Sequence, residues 1–235
     1  MRATKRNLFA LAVGACLLTL SGCAATAESA GGLLAKMTGK KSPEQVLNIK
    51  TPDDRVKELR ELAKTAGDKS PEEQNRIVAE LSEEIQHEKE PVMRRHILRT
   101  LGEYHTPLSS AIARAGLKDT DLEVRRVACE SLGRQGGAEA VRDLAQAASS
   151  DTEIDVRIAA VKALGATQDK AAVPYLGEAL ADPDPAVQYR AIESLRLVSG
   201  RDFGENVQAW RDFAQTGKSD APEASFAERW RRALF

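Results

Sequence analysis

Residues 119–133 read DTDLEVRRVACESLG, residues 151–165 read DTEIDVRIAAVKALG, and residues 182–196 read DPDPAVQYRAIESLR. One pattern runs through all three: an Asp, five residues later a Val followed by Arg or Gln, then an Ala, then a Leu. The copies begin 32 and 31 residues apart. A fixed period of that size marks a solenoid of stacked units. Val124, Ala128 and Leu132 stand four apart, as do Val156, Ala160 and Leu164, and Val187, Ala191 and Leu195. That spacing puts each trio in one stripe of a helix, the expected buried face, with a central Ala small enough to let a neighbouring helix come close.

The punctuation fits. Asp121, Glu153 and Asp184 are expected N-caps, with Pro185 at the first helical position, where it loses no hydrogen bond. Gly133 and Gly165 are expected just past their helices in the left-handed conformation. A shorter helical run precedes each copy, at Thr106–Leu117, Ala138–Ala148 and Lys170–Leu180, so each repeat is read as two antiparallel helices. Stepping back 31 residues gives Glu88, Met93-Arg94, Ile97 and Leu101-Gly102, with Glu90-Pro91 as cap and first position. This is a fourth, degenerate copy, as terminal repeats usually are.

The Asp, Val-Arg, Ala, Leu-Gly skeleton resembles the HEAT repeat, in the form found also in phycobilisome lyases. The match covers roughly residues 70–213 and weakens in the last copy, where Gln188 and Arg196 replace Arg and Gly. The resemblance implies an all-α solenoid, a right-handed superhelix of antiparallel helix pairs. It also implies that the Asp and Arg columns form a polar ladder between repeats, making Arg125 and Arg157 structural. For activity it is unspecific, because the family holds scaffolds, adaptors and a few enzymes.

Upstream, Arg2, Lys5 and Arg6 precede an apolar run from Leu8 to Leu20 that is too short to span a bilayer. It ends in Leu20-Ser21-Gly22-Cys23, which looks like the lipobox of bacterial lipoproteins. That resemblance implies lipid attachment at Cys23 after removal of residues 1–22, stable anchoring by two or three acyl chains, and, because Ala24 follows the Cys, an outer-membrane address facing the periplasm. The alternative is an ordinary secretory signal with an incidental Cys. Losing residues 1–22 takes three positive charges from a formal net charge of −1 and leaves −4, which speaks against a nucleic-acid partner. Cys129 then remains alone, so no disulfide or metal cluster can be built on cysteine.

Residues 23–50 read as a flexible tether and residues 51–213 as the solenoid, about four repeats plus an N-terminal cap helix. Ser42-Pro43, Thr51-Pro52 and Ser70-Pro71 are each a helix-cap signal, and helices are expected from about Pro52 to Ala66 and from about Pro71 to Gln86. After Gly200 the composition turns aromatic, with Phe203, Trp210, Phe213, Phe226, Trp230 and Phe235. Residues 201–213 should close the array. Residues 214–235 are expected to end in a capping helix, with Phe226, Trp230 and Leu234 on one stripe, that docks on the solenoid or, being basic, lies on a membrane.

The sequence carries no nucleophile elbow, phosphate loop or zinc helix, and it calls for no metal or other cofactor and no catalytic residue. HEAT-type metal hydroxylases carry His-Glu pairs in several repeats; here there is one, His87-Glu88, and Glu88 already occupies the ladder column. The chain is therefore expected to be a monomeric, non-enzymatic interaction scaffold in the cell envelope, binding a protein or peptide along the concave side. Positions two and six after each Val column supply that face: Arg95 and Arg99, Arg126 and Glu130, Ile158 and Lys162, Tyr189 and Glu193. The alternatives are a bilin-lyase-like or chaperone-like protein and a structural spacer without a specific partner.

Overall fold

The computed structural model describes residues 51–225 together with Glu228 and Leu234. Leu8–Leu20, Cys23 and the tether lie outside the described residues, as do Phe226 and Trp230. Among the described residues there are ten α-helices and no strand. They are α1 (Pro52–Lys64), α2 (Pro71–His87), α3 (Pro91–Leu101), α4 (Pro107–Gly116), α5 (Leu122–Gln135), α6 (Ala138–Ser150), α7 (Ile154–Ala166), α8 (Val173–Ala179), α9 (Pro185–Ser199) and α10 (Val207–Thr216). Successive odd-numbered helices pack on one another, and each even-numbered helix from α2 to α8 packs on the odd-numbered helix that follows it. The fold is an all-α solenoid of stacked helix pairs.

The cap chemistry sets the helix starts. Ser70, Thr106, Asp121, Asp184 and Asn206 each accept a backbone N–H of their own helix, satisfying a donor that would otherwise be orphaned. Glu153 holds the same position without a side-chain cap bond. Val124, Ala128, Leu132 and their counterparts in α7 and α9 are all buried, so the stripes form the core.

Gly133 and Gly165 do something other than expected. Both lie inside their helices, and the positive-φ residues past the ends of α5 and α7 are Gly136 and Gln168. A Cβ on Gly133 would sit 3.0 Å from the Ala163 backbone, and one on Gly165 would sit 3.0 Å from the Ser194 Cα. The missing side chain therefore lets α5 meet α7 and α7 meet α9 at backbone distance. Beside these contacts, buried hydroxyls cross between helices: Thr100 Oγ1 donates to the Leu59 carbonyl at 3.1 Å, and Ser194 Oγ to the Val161 carbonyl at 2.9 Å. Arg196 stands where Gly would be in α9, and among the described residues no further odd-numbered helix follows. Its guanidinium turns instead to Asp202, at 3.1 Å, and to Glu193 and Glu205.

The first helix is more than an end cover. Pro52 and Arg55 of α1 repeat the spacing of Pro91 and Arg94 in α3, Leu59 is buried, and α1 packs on α3 as α3 packs on α5. It is one more second helix of the array, offset by 39 residues instead of 31.

The polar ladder joins the repeats. Arg94 binds Asp119 through two hydrogen bonds of 2.8 and 2.7 Å, Arg125 binds Asp151 at 2.8 and 3.0 Å, and Arg157 binds Asp182 at 2.9 and 3.3 Å. Arg125 also donates to the carbonyl of Asp119 at 3.0 Å, so it ties its own turn to the next one. Gln188, at the last rung, keeps only that local bond, to the Asp182 carbonyl at 2.7 Å. The rung of α1 goes to Glu84, which accepts from both Nε and Nη2 of Arg55. Glu88 keeps the local bonds, its carboxylate accepting from the Glu90 N–H at 2.8 Å and its carbonyl from Arg94 Nη1 at 3.5 Å, but among the described residues its side chain takes no arginine, which corrects its expected place in the ladder.

Burial alone would raise the pKa values of Asp119, Asp151 and Asp182, but the arginine and backbone hydrogen bonds outweigh it and hold all three below the usual carboxylate range. Because the folded pKa is the lower one, their stabilisation is present above the unfolded value of about 3.9 and is lost as pH falls through the folded values. The ladder's contribution to thermal stability should thus be nearly independent of pH between about 5 and 7 and fall steeply below about 4. The triple variant Asp119→Asn, Asp151→Asn, Asp182→Asn should start lower and lose most of that acid slope. An unchanged slope would clear the ladder of responsibility.

Candidate functional site

The eight residues expected to form a binding row all fall at the fifth and ninth positions of α3, α5, α7 and α9. Their surroundings differ. Arg99 and Lys162 are exposed, and Tyr189 is 52% exposed, unusual for a large aromatic side chain in this chain. Ile158 packs partly against the core. Arg126 is held by Glu123 at 2.6 Å, and Glu193 is taken by Arg196. Glu130 is half-buried. Arg95 lies 3.8 Å from Glu123, and its Nε is buried without a hydrogen-bond partner.

The structure adds members that the in-phase reading missed. Counted from Pro52, the fifth and ninth positions of α1 are Val56 and Arg60. The clue was available in the Pro-x-x-Arg spacing shared by α1 and α3, but not in the 31-residue register. Arg60 comes near His96, whose pKa is pushed down by burial and then by Arg95, Arg99 and Arg60.

Other reactive groups have structural employment. Cys129 is buried in the core, and desolvation raises its thiol pKa to about 12, far from a nucleophile's range. His87 is exposed, with Nδ1 2.9 Å from the Glu83 carbonyl. Among the described residues no group of three His, Cys, Asp or Glu side chains is placed to hold a metal ion. No helix of the described residues is long and apolar enough to cross a membrane.

The end of the array is built from aromatic groups. Phe203 and Trp210 meet edge to face at 4.9 Å, Phe213 completes the cluster, and Trp210 Nε1 donates to the Gly204 carbonyl at 2.9 Å. Arg211 donates to the Leu180 carbonyl at 2.7 Å, closing the turn after α8. This polar and aromatic cluster packs α10 onto the last helix pair of the described array.

The family described as HEAT repeats matches residues 78–153 and 141–209, together more than half of the chain. This is a HEAT-repeat protein. No curated protein matches its sequence. Among solved structures, the HEAT array is similar to human deoxyhypusine hydroxylase, with 25% identity over 52% of this chain and 43% of that one and a TM-score of 0.48. It is also similar to the complex of CpcE and CpcF of phycocyanin lyase from Nostoc sp. PCC7120, with 21% identity over 68% of this chain and 66% of that one and a TM-score of 0.47. The chain spans less than two thirds of the length of either. One neighbour is a hydroxylase and the other a lyase, which corrects the expectation that this HEAT protein is not an enzyme: its architecture leaves catalysis open.

Proposed function

We propose that this HEAT array is a protein-interaction scaffold that grips a partner segment along the odd-numbered helices and is tied by lipid on Cys23 to a bacterial envelope membrane, the outer membrane on its periplasmic side. The observation that carries the scaffold reading is Tyr189, a large aromatic half in solvent at the end of a row that the caps and the ladder do not use. Tyr, Trp and Arg are the residues over-represented among those that dominate interfaces. The odd-numbered helices also pack closely through Gly133 and Gly165, which brings their outward faces into a near-continuous strip.

Crosslinking followed by purification from membranes tests this reading. Tyr189→Ala or Arg126→Ala should weaken capture of a stoichiometric partner by at least about 1 kcal/mol, a hot-spot-sized loss, while the melting temperature stays nearly unchanged. Normal capture by both variants, with release by Trp230→Ala, would move the interface to the C-terminus. Bound pigment in place of a protein partner would favour a lyase-like role, and neither would leave a spacer.

Anchoring is tested separately, on the Leu20-Ser21-Gly22-Cys23 motif. Cys23→Ala should abolish fatty-acid labelling and leave an uncleaved or soluble precursor. Labelling that survives the substitution removes the lipoprotein assignment.

A further inference from the structure

The basic end of the odd-numbered face is electrostatically unfinished. Arg55, Arg94, Arg125 and Arg157 are each held by a carboxylate across the repeat boundary. Arg60 and Arg99 are exposed and make no ion pair among the described residues. On α3 with Arg99 are Arg95, which lies 3.8 Å from the Glu123 carboxylate that Arg126 also binds and keeps one buried guanidinium nitrogen unpartnered, and His96. The charges acting on His96 are all arginines. Three arginines on two packed helices repel one another and disfavour a charge on His96, and this in a chain whose formal net charge is negative. An anion is the missing complement.

The rest of the face says which kind. Moving along the array from α3, the fifth and ninth positions read Arg95 and Arg99, Arg126 and Glu130, Ile158 and Lys162, Tyr189 and Glu193. Arg126 is already neutralised by Glu123, and two acids interrupt the ninth positions. A nucleic-acid backbone or a flat anionic bilayer presents negative charge throughout and would meet Glu130, Glu193 and Glu123. A peptide can place its carboxylates at one end only. Packed helices lie about 8–10 Å apart, so the four steps from α1 to α9 span roughly 32–40 Å. An extended chain covers that in roughly a dozen residues.

We infer that the odd-numbered face binds an extended peptide segment of about a dozen residues, carboxylates at one end against Arg60, Arg95 and Arg99 and an apolar or aromatic residue at the other against Ile158 and Tyr189. This rests on the scaffold reading and specifies its ligand.

The test uses the full chain and fluorescein-labelled dodecapeptides with four Glu, a Gly-Ser spacer and a terminal Leu-Phe, made in both chain directions, plus copies with Gln for Glu. In anisotropy titrations, one direction of the Glu peptide should bind about tenfold or more tighter than its Gln copy, the scale of charge-assisted hydrogen bonds. Added salt should erode the difference. The double variant Arg60→Ala, Arg99→Ala should abolish it with an unchanged melting temperature, and Tyr189→Ala should weaken both peptides equally. Equal affinity for Glu and Gln peptides, or a preference that survives the double variant, overturns the inference. So does binding of phosphatidylglycerol vesicles through Arg60 and Arg99 without any peptide preference. If the peptides fail while Tyr189→Ala still abolishes partner capture, the acidic ligand is wrong and the scaffold stands. If the peptide preference holds while partner capture ignores Tyr189 and Arg126, the fault lies with the scaffold row.

Discussion

Trp210→Ala should destabilise the protein by about 3–5 kcal/mol, the range for deleting a large buried aromatic side chain. The indole is fully buried, packs edge to face on Phe203 and Phe213, and donates its N–H to the Gly204 carbonyl. Its removal leaves a cavity at the junction of α8, α9 and α10, and it also removes a hydrogen bond from the turn that Arg196 and Asp202 brace. Because each repeat is supported only by its neighbours, losing the terminal seal should fray the last pair before the rest melts. Urea denaturation followed by circular dichroism should show the midpoint falling and the transition broadening. Trp210→Phe should lose less, since it keeps most of the ring volume. A loss below about 1 kcal/mol for Trp210→Ala would mean that α10 is not part of the cooperative structure.

Leu164→Ala should cost about 2–5 kcal/mol through lost burial and a residual cavity. Leu164 is fully buried near the end of α7, the helix that packs on α5, α6 and α9. Damage there should also decouple the two ends, so that fragments on either side unfold in separate steps. Two residues away, Lys162 is exposed, and Lys162→Ala should change stability by no more than about 0.5 kcal/mol. Equal, small effects for the two variants would show that the buried stripe is misplaced; hydrogen exchange of α5 and α9 amides would report the decoupling directly.

Much of this architecture was legible in the chain. The Val, Ala and Leu stripes, the Pro and Asp punctuation and the Arg and Asp columns repeat in phase, and local chemistry alone makes each unit a helix pair with one apolar face. The departures at Gln188 and Arg196 could also be seen, but not their reason. That reason is tertiary: among the described residues the stack of odd-numbered helices ends at α9, so neither a rung nor a backbone-close glycine has a partner there.

What the sequence could not decide is who touches whom across repeats. A glycine near the end of a helical pattern fits a left-handed cap and a close helix crossing equally well, and only the positions of Ala163 and Ser194 show that Gly133 and Gly165 serve the crossing. Glu84 and Glu88 lie four apart, one helical turn, and the packing of α1 selects Glu84 for Arg55. Arg60 is a solvated helix residue until α1 docks on α3 and brings it near His96. Sequence fixes periodicity through local torsions and the hydrophobic stripe, whereas electrostatic neighbours depend on distances between helices, and the 39-residue offset of α1 puts those neighbours out of phase with the repeat that reveals the fold.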